Sequence, residues 1–213
     1  MGSEGPIPVT IHVTGFKKFH GVENNPTETI VSNLSEFLKQ RGSSCNGRFT
    51  LGSCTVLQAS GDEILNFLYK EEQSPRVDQR VVWLHFGASG RLTRFAIERQ
   101  AVNEATFYFP DEHGWQPTKL SVVPEDGDLH QTRQTTCSVE KIGKQLKQQG
   151  FDVGISNDAG RFVCNYIYYH SLRIAEEKGH TCIFVHVPLF SIIDEDIQME
   201  FAAAMLEAIV MTV

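Results

Sequence analysis

Phe151-Asp152-Val153-Gly154-Ile155-Ser156-Asn157-Asp158-Ala159-Gly160-Arg161-Phe162-Val163-Cys164-Asn165 is the stretch on which the fold turns. Phe151–Ile155 reads as a short strand, and the small, polar residues after it form a turn. The turn leads straight into a helix, Val163–Lys178, with Tyr166, Ile167 and Ile174 inward and Gly179 as its stop. Thr181–Val187 follows as an apolar strand. Short apolar runs bounded by helices favour a buried parallel sheet.

The alternation continues in both directions. Upstream, Ser138–Gln149 reads as a helix with Ile142 and Leu146 on one face, Val81–Phe86 as a compact strand, Asp62–Lys70 as a short helix and Arg48–Gln58 as extended chain. At the start, Val9, Ile11 and Val13 alternate with polar residues until Gly15. Ile30, Val31, Leu34, Phe37 and Leu38 then recur at helical spacing, with Asn25 as N-cap, Pro26 at the first helical position and Gly42 as stop. Downstream, Asp194, Glu195 and Asp196 open a final helix whose stripe is Ile197, Phe201, Met205 and Leu206. Only Phe107–His130 breaks the pattern, with Pro110, Gly114, Pro117, Pro124 and Gly127; loops of that length tend to be functional. No repeat or linker divides the chain. The reading is one α/β domain over residues 1–213: a three-layer α/β/α open sandwich around a mostly parallel twisted sheet.

Composition narrows the function. With 41% hydrophobic and 10% aromatic residues, 213 residues bury a sizeable core, which excludes a disordered chain or a coiled-coil rod. The formal charge, 19 − 26 = −7, repels phosphate backbones and anionic lipid, so neither nucleic acid nor membrane is expected as a partner. The start, MGSEGPIPV, lacks the basic flank of a signal peptide, and Pro6 stands where myristoylation wants Ser or Thr. A soluble, non-secreted protein is expected. Five cysteines in an odd, irregular set without CxxC read as intracellular thiols, not a disulfide framework.

One of those thiols is placed for chemistry. Cys164 falls in the first turn of a helix, where unpaired amides and the positive dipole end favour thiolate, although a buried, inert cysteine is the commoner case. His186 closes the strand Thr181–Val187, and a lone histidine on an apolar strand is usually a satisfied core residue. A right-handed crossover, however, would set the two strand ends side by side and make a Cys–His pair. Glu98, beside Arg99, is by default one of a surface charge pair; turned inward, a carboxylate would orient the imidazole of His186. His85–Arg91 has glycines but neither GxGxxG nor a GK[ST] loop, so a phosphate- or nucleoside-handling enzyme lacks its basic site. HExxH is absent, and Asp111-Glu112-His113 reads as solvated.

These residues together resemble the pyroglutamyl peptidase I family of cysteine peptidases, over nearly the whole chain. Ser156–Asn165 fits the family's cysteine motif throughout, and His186-Val187-Pro188 fits its histidine motif. Gly87-Ala88-Ser89-Gly90 through Glu98-Arg99-Gln100-Ala101-Val102-Asn103 is similar to its glutamate motif, with Phe95, Ala96 and Gln100 departing from it. Gly15-Phe16-Lys17-Lys18-Phe19 with Asn25-Pro26 is similar to GFxPF…NP, with Lys18 in place of proline and His20 of the first following glycine.

The resemblance implies hydrolysis of the amide bond after an N-terminal pyroglutamyl residue. Cys164 would be the nucleophile, His186 the base and Glu98 its orienting partner, with a thioester acyl-enzyme as intermediate. Phe16, Phe19, Phe162, Val163 and Phe109 would line an apolar pocket for the uncharged ring. The backbone N–H of Cys164 is the first oxyanion donor. Bacterial members carry an arginine where Tyr108 stands, leaving Tyr108, Arg91 or Arg94 as the second. No metal or other cofactor is implied, and the expected setting is the cytosol. The partners are pyroglutamyl peptides; because the family includes tetramers, a homo-oligomer is a further expectation. The competing reading is an impaired member that retains the fold as a peptide-binding module.

Overall fold

The computed structural model describes residues 9–42, 49–73 and 80–213; Cys45 and Arg48 lie outside them. In chain order the elements are β1 (Val9–Phe16), α1 (Pro26–Gln40), β2 (Phe49–Leu57), α2 (Gly61–Gln73), β3 (Arg80–Ala88) and β4 (Phe95–Glu98). Then come β5 (Gln100–Val102), β6 (Glu104–Ala105), β7 (Leu120–Ser121) and β8 (Thr132–Gln134), which pair as two small ribbons, β5 with β8 and β6 with β7. The chain ends with α3 (Val139–Gln148), β9 (Val153–Ser156), α4 (Val163–Lys178), β10 (Thr181–Val187) and α5 (Glu195–Val210).

Six strands form the central sheet in the order β2-β1-β3-β10-β4-β9. Its pairs are parallel except β10 with β4. The sheet is therefore mostly parallel, as expected, but β4 and β9 run against the other four strands. This corrects the expected crossover: β9 and β10 are not neighbours, because β4 lies between them. Phe95–Glu98 gives no strand signal of its own. Its four residues follow a charged turn, and pairing on both edges, not periodicity, makes it a strand.

Side chains alternate across a strand, so each central strand faces both ways. Ile11 and Val13 of β1, Val82, Leu84 and Phe86 of β3, and Ile183, Val185 and Val187 of β10 point into one apolar cluster with α1, α3 and α5. Trp83, Cys182 and Phe184 point into the second, with α2 and α4. The result is helices, sheet, helices.

Local chemistry sets the element ends. Asn25 caps α1, accepting from the Thr27 amide and donating to the Lys17 carbonyl, while the Thr27 hydroxyl accepts from the Phe16 amide. Helix start and strand end are thus fastened together. Gly15 allows this: a Cβ there would sit 2.5 Å from the Thr27 carbonyl oxygen. In α5 the buried stripe begins later than expected, since Ile197 is 47% exposed while Phe201, Met205 and Leu206 are buried. Gln198 takes the inward place in the first turn, donating to the Pro188 and Ile193 carbonyls. Among the described residues no helix is long and apolar enough to cross a membrane.

Candidate active site

The turn before α4 is built from its own polar side chains. Ser156 Oγ accepts from the Asp158 amide, Asp158 Oδ1 from the Gly160 amide, and Gly160 takes φ +81°. Arg161 ties the turn outward to Glu104, at 3.3 Å, and to Asp158, at 2.7 Å. Phe162 is the N-cap of α4 and supplies no side-chain acceptor, so capping leaves the first-turn amides around Cys164 uncovered. Asn165 next to the thiol accepts from the Val102 amide and donates to the Val102 and Glu104 carbonyls, fixing the helix start against β5.

Cys164 is buried beside Gly87 of β3. A Cβ at Gly87 would stand 2.9 Å from the sulfur and 2.6 Å from the ring of Phe184, so only glycine lets the thiol approach the sheet.

His186 and Glu98 meet across the single antiparallel pair. In the β10–β4 register Phe184 opposes Glu98 and His186 opposes Ala96, which makes His186 and Glu98 diagonal neighbours on one face. Long side chains span that diagonal: His186 Nδ1 and Glu98 Oε1 are 2.8 Å apart, with Glu98 only 2% exposed. Arg99 turns the other way, to Asn157 and Glu140, so the default surface pair with Glu98 does not form. On β3, Gly87 is the register partner of His186 and packs against the Cys164 sulfur, which brings thiol and imidazole to one place. Burial alone pulls His186 down; the neighbouring Cys164, then Glu98, outweigh this and hold it above its ordinary value.

Around the thiol stands an aromatic wall. The Phe162 ring lies 4.6 Å from Phe107, 4.9 Å from Phe109 and 6.1 Å from Phe19, centroid to centroid. Phe19, Phe109 and Phe162 are half-buried, whereas Phe16 and Val163 sit inside the core cluster that includes Cys164. His20 packs on Phe109 at 4.6 Å, joining the turn after β1 to the long loop.

That loop is held down. Asp111, expected to be solvated, is buried and accepts from the amides of Gly61, His113 and Trp115; His113 pairs with Asp62. A tight turn closing on α2 needs a buried acceptor, and this carboxylate supplies it. Tyr108 points out at 83% exposure, and Arg91 and Arg94 are exposed. Among the described residues no group of three or more His, Cys, Asp or Glu is placed to hold a metal ion. Sequence reasoning named Cys164, His186 and Glu98 but assigned no site role to Gly87, Asn165 or Tyr168. Spacing of one turn from Cys164 was the available signal for Tyr168.

Known proteins resemble this chain in sequence and in fold. A family profile described as pyroglutamyl peptidase matches residues 9–213. A pyrrolidone-carboxylate peptidase of Pyrococcus furiosus is 32% identical over 178 residues, 83% of this chain and 79% of its own. One of Thermococcus litoralis is 29% identical over 178 residues, 83% and 74% of the two chains. Among solved structures, pyrrolidone carboxyl peptidase of Fervidobacterium islandicum superposes with a TM-score of 0.83 at 23% identity, covering 96% of this chain and all of its own, a likeness of fold. A mutant pyrrolidone carboxyl peptidase of Pyrococcus furiosus gives 0.76 at 26% identity, covering 94% and 98%. The chain belongs to the pyroglutamyl peptidase family of hydrolases.

Proposed function

We propose that this hydrolase removes an N-terminal pyroglutamyl residue from peptides by thiol chemistry, with Cys164 as nucleophile, His186 as acid and base, and Glu98 as the group that orients His186. The pairing of His186 with the buried Glu98, on a strand whose neighbour Gly87 packs against the Cys164 sulfur, carries the reading. The thiolate sulfur bonds to the pyroglutamyl carbonyl carbon, and the carbonyl oxygen takes the electron pair. The Cys164 amide, in the uncapped first turn of α4, donates to that oxyanion. Nδ1–H of His186 faces Glu98, so Nε2 serves the reaction. Its proton passes to the departing amine as the C–N bond breaks, leaving a thioester. Water then gives a proton to Nε2 and adds to the thioester carbon, and pyroglutamate leaves as the sulfur regains its electron pair.

The substrate ring is neutral, so it is held by apolar contact. Phe19, Phe109 and Phe162 form the wall of its pocket, backed by Phe16 and Val163. Tyr108 stands in solvent, which leaves the backbone as the oxyanion site and gives Tyr108 no part in it. The mechanism needs no metal, so activity persists in chelator. Unpaired Cys54, Cys137, Cys164 and Cys182 suit a reducing compartment such as the cytosol.

Release of a chromophore from a pyroglutamyl amide tests the reading. Cys164→Ala is expected to retain less than about a thousandth of the parental kcat/KM. Turnover by that variant at parental rate would overturn the nucleophile assignment. Absence of turnover by the parent would favour a peptide-binding module instead.

A further inference from the structure

The thiol helix and the acid strand are joined by a contact that the reaction as written does not use. Tyr168 lies one turn beyond Cys164 in α4, a spacing that stacks two side chains on one helix face. Its Oη donates to the backbone carbonyl of Glu98 at 2.9 Å, and the whole side chain is buried. The ring packs against Phe184 at 5.6 Å between centroids, and Phe184 packs against His186 at 4.8 Å. One residue of the nucleophile's helix thus bonds to the residue that carries the acid and touches the ring that supports the base.

The strand it grips needs a grip. β4 has four residues and ends at Glu98, where the chain leaves the sheet. Thr135 holds the same corner from the other side: its amide donates to the Arg99 carbonyl, its hydroxyl donates to the Cys182 carbonyl of β10, and that hydroxyl neighbours Tyr168. Burial keeps the phenol far above its ordinary pKa, and Cys182, Cys137 and Glu98, the titratable groups around it, push the same way. Tyr168 is therefore a neutral donor at any pH at which the protein works. A phenylalanine would fill the space equally well; what the hydroxyl adds is the bond to Glu98, beside the Thr135 hydroxyl.

We propose that Tyr168 is a positioning residue, whose bond to the Glu98 carbonyl sets acid strand against thiol helix and so fixes His186 between Glu98 and Cys164. This rests on the reading that those three residues do the chemistry. Without the hydroxyl, Glu98 loses its lock, its carboxylate drifts from His186, and the imidazolium–thiolate pair forms less readily.

The test is Tyr168→Phe, compared with Leu146→Ala as a destabilised control on the opposite face of the sheet. For Y168F we expect kcat lower by about tenfold with KM within about twofold. The acid limb of the rate profile, and of Cys164 alkylation by iodoacetamide, should move up by about half a pH unit or more. L146A should move neither limb. Parental kcat and an unmoved limb in Y168F, or an equal shift in L146A, would overturn the proposal. Should Y168F fold poorly, Thr135→Val relaxes the same corner while keeping the phenol; a smaller upward move is expected, and an unmoved limb overturns the idea. An active Cys164→Ala would instead sink the underlying reading, so the two failures are distinguishable.

Discussion

The two faces of the sheet are built from the same strands by opposite rules. Under α1, α3 and α5 the side chains that β1, β3 and β10 bury in the cluster are Val, Ile, Leu and Phe. Under α2 and α4 the same strands present His12, Thr14, His85, Cys182, His186 and Glu98. There, buried polar side chains pair with one another, as His186 does with one oxygen of Glu98. The Thr14 hydroxyl meets His85 Nδ1 at 2.7 Å, and His85 Nε2 meets the Ser171 hydroxyl at 2.9 Å, all three residues buried. The apolar face and the face that carries the candidate site are thereby separated by one residue along each strand.

That division is open to attack in measurable ways. The largest effect belongs to acid. Burial lowers His85 to about 3, from an unfolded value of 6.5, so the folded chain keeps it neutral while the unfolded chain binds a proton. Its stability contribution is fully present above about pH 6.5 and is lost as pH falls toward 3, by about 5 kcal/mol in all. Urea unfolding of parent and His85→Gln across that range measures it. Identical slopes in the two proteins would remove His85 from the account.

Next in size is Glu98→Gln, which keeps the shape of the site and removes the charge beside the imidazole. We expect kcat/KM to drop about a thousandfold, equivalent to about 4 kcal/mol, with little change in melting temperature. A loss of stability with activity retained would put Glu98 among the structural groups instead. On the apolar face Leu84→Ala should do the reverse, costing about 3 kcal/mol of stability while kcat of the folded protein stays within about twofold. Gly87→Ala probes the boundary between faces. Its methyl group meets both Phe184 and Cys164, and kcat should fall about a hundredfold, or about 2.7 kcal/mol, as the thiol is pushed from His186. Parental turnover in that variant would mean that the sulfur has room the structure does not give it.

Much of the architecture was legible because local rules govern it. The bounds of α4 and β10, the Asn25 cap and the Gly179 stop follow from helical period, cap chemistry and φ preference, which act within a few residues. Cys164 and His186 were legible as candidates for the same reason, since reactivity follows residue type and place in an element. The inward turn of Glu98 was not, because a four-residue strand beside Arg99 carries no periodic signal. Nor was the burial of Asp111, one of whose partners, the Gly61 amide, opens another element 50 residues away.

By itself the sequence determined the helices, the apolar strands, the candidate site residues and, through its motifs, the family. Tertiary structure alone decided that β4 enters between β9 and β10 and runs against β10, which brings Glu98 to His186 across 88 residues of chain. It also decided that Tyr168 reaches the Glu98 carbonyl and that Tyr108 faces solvent. The reason is physical. Helix period and capping are energies of neighbours in sequence, whereas strand order is settled by which pairing buries both faces at once, a sum over the whole chain that no short segment contains.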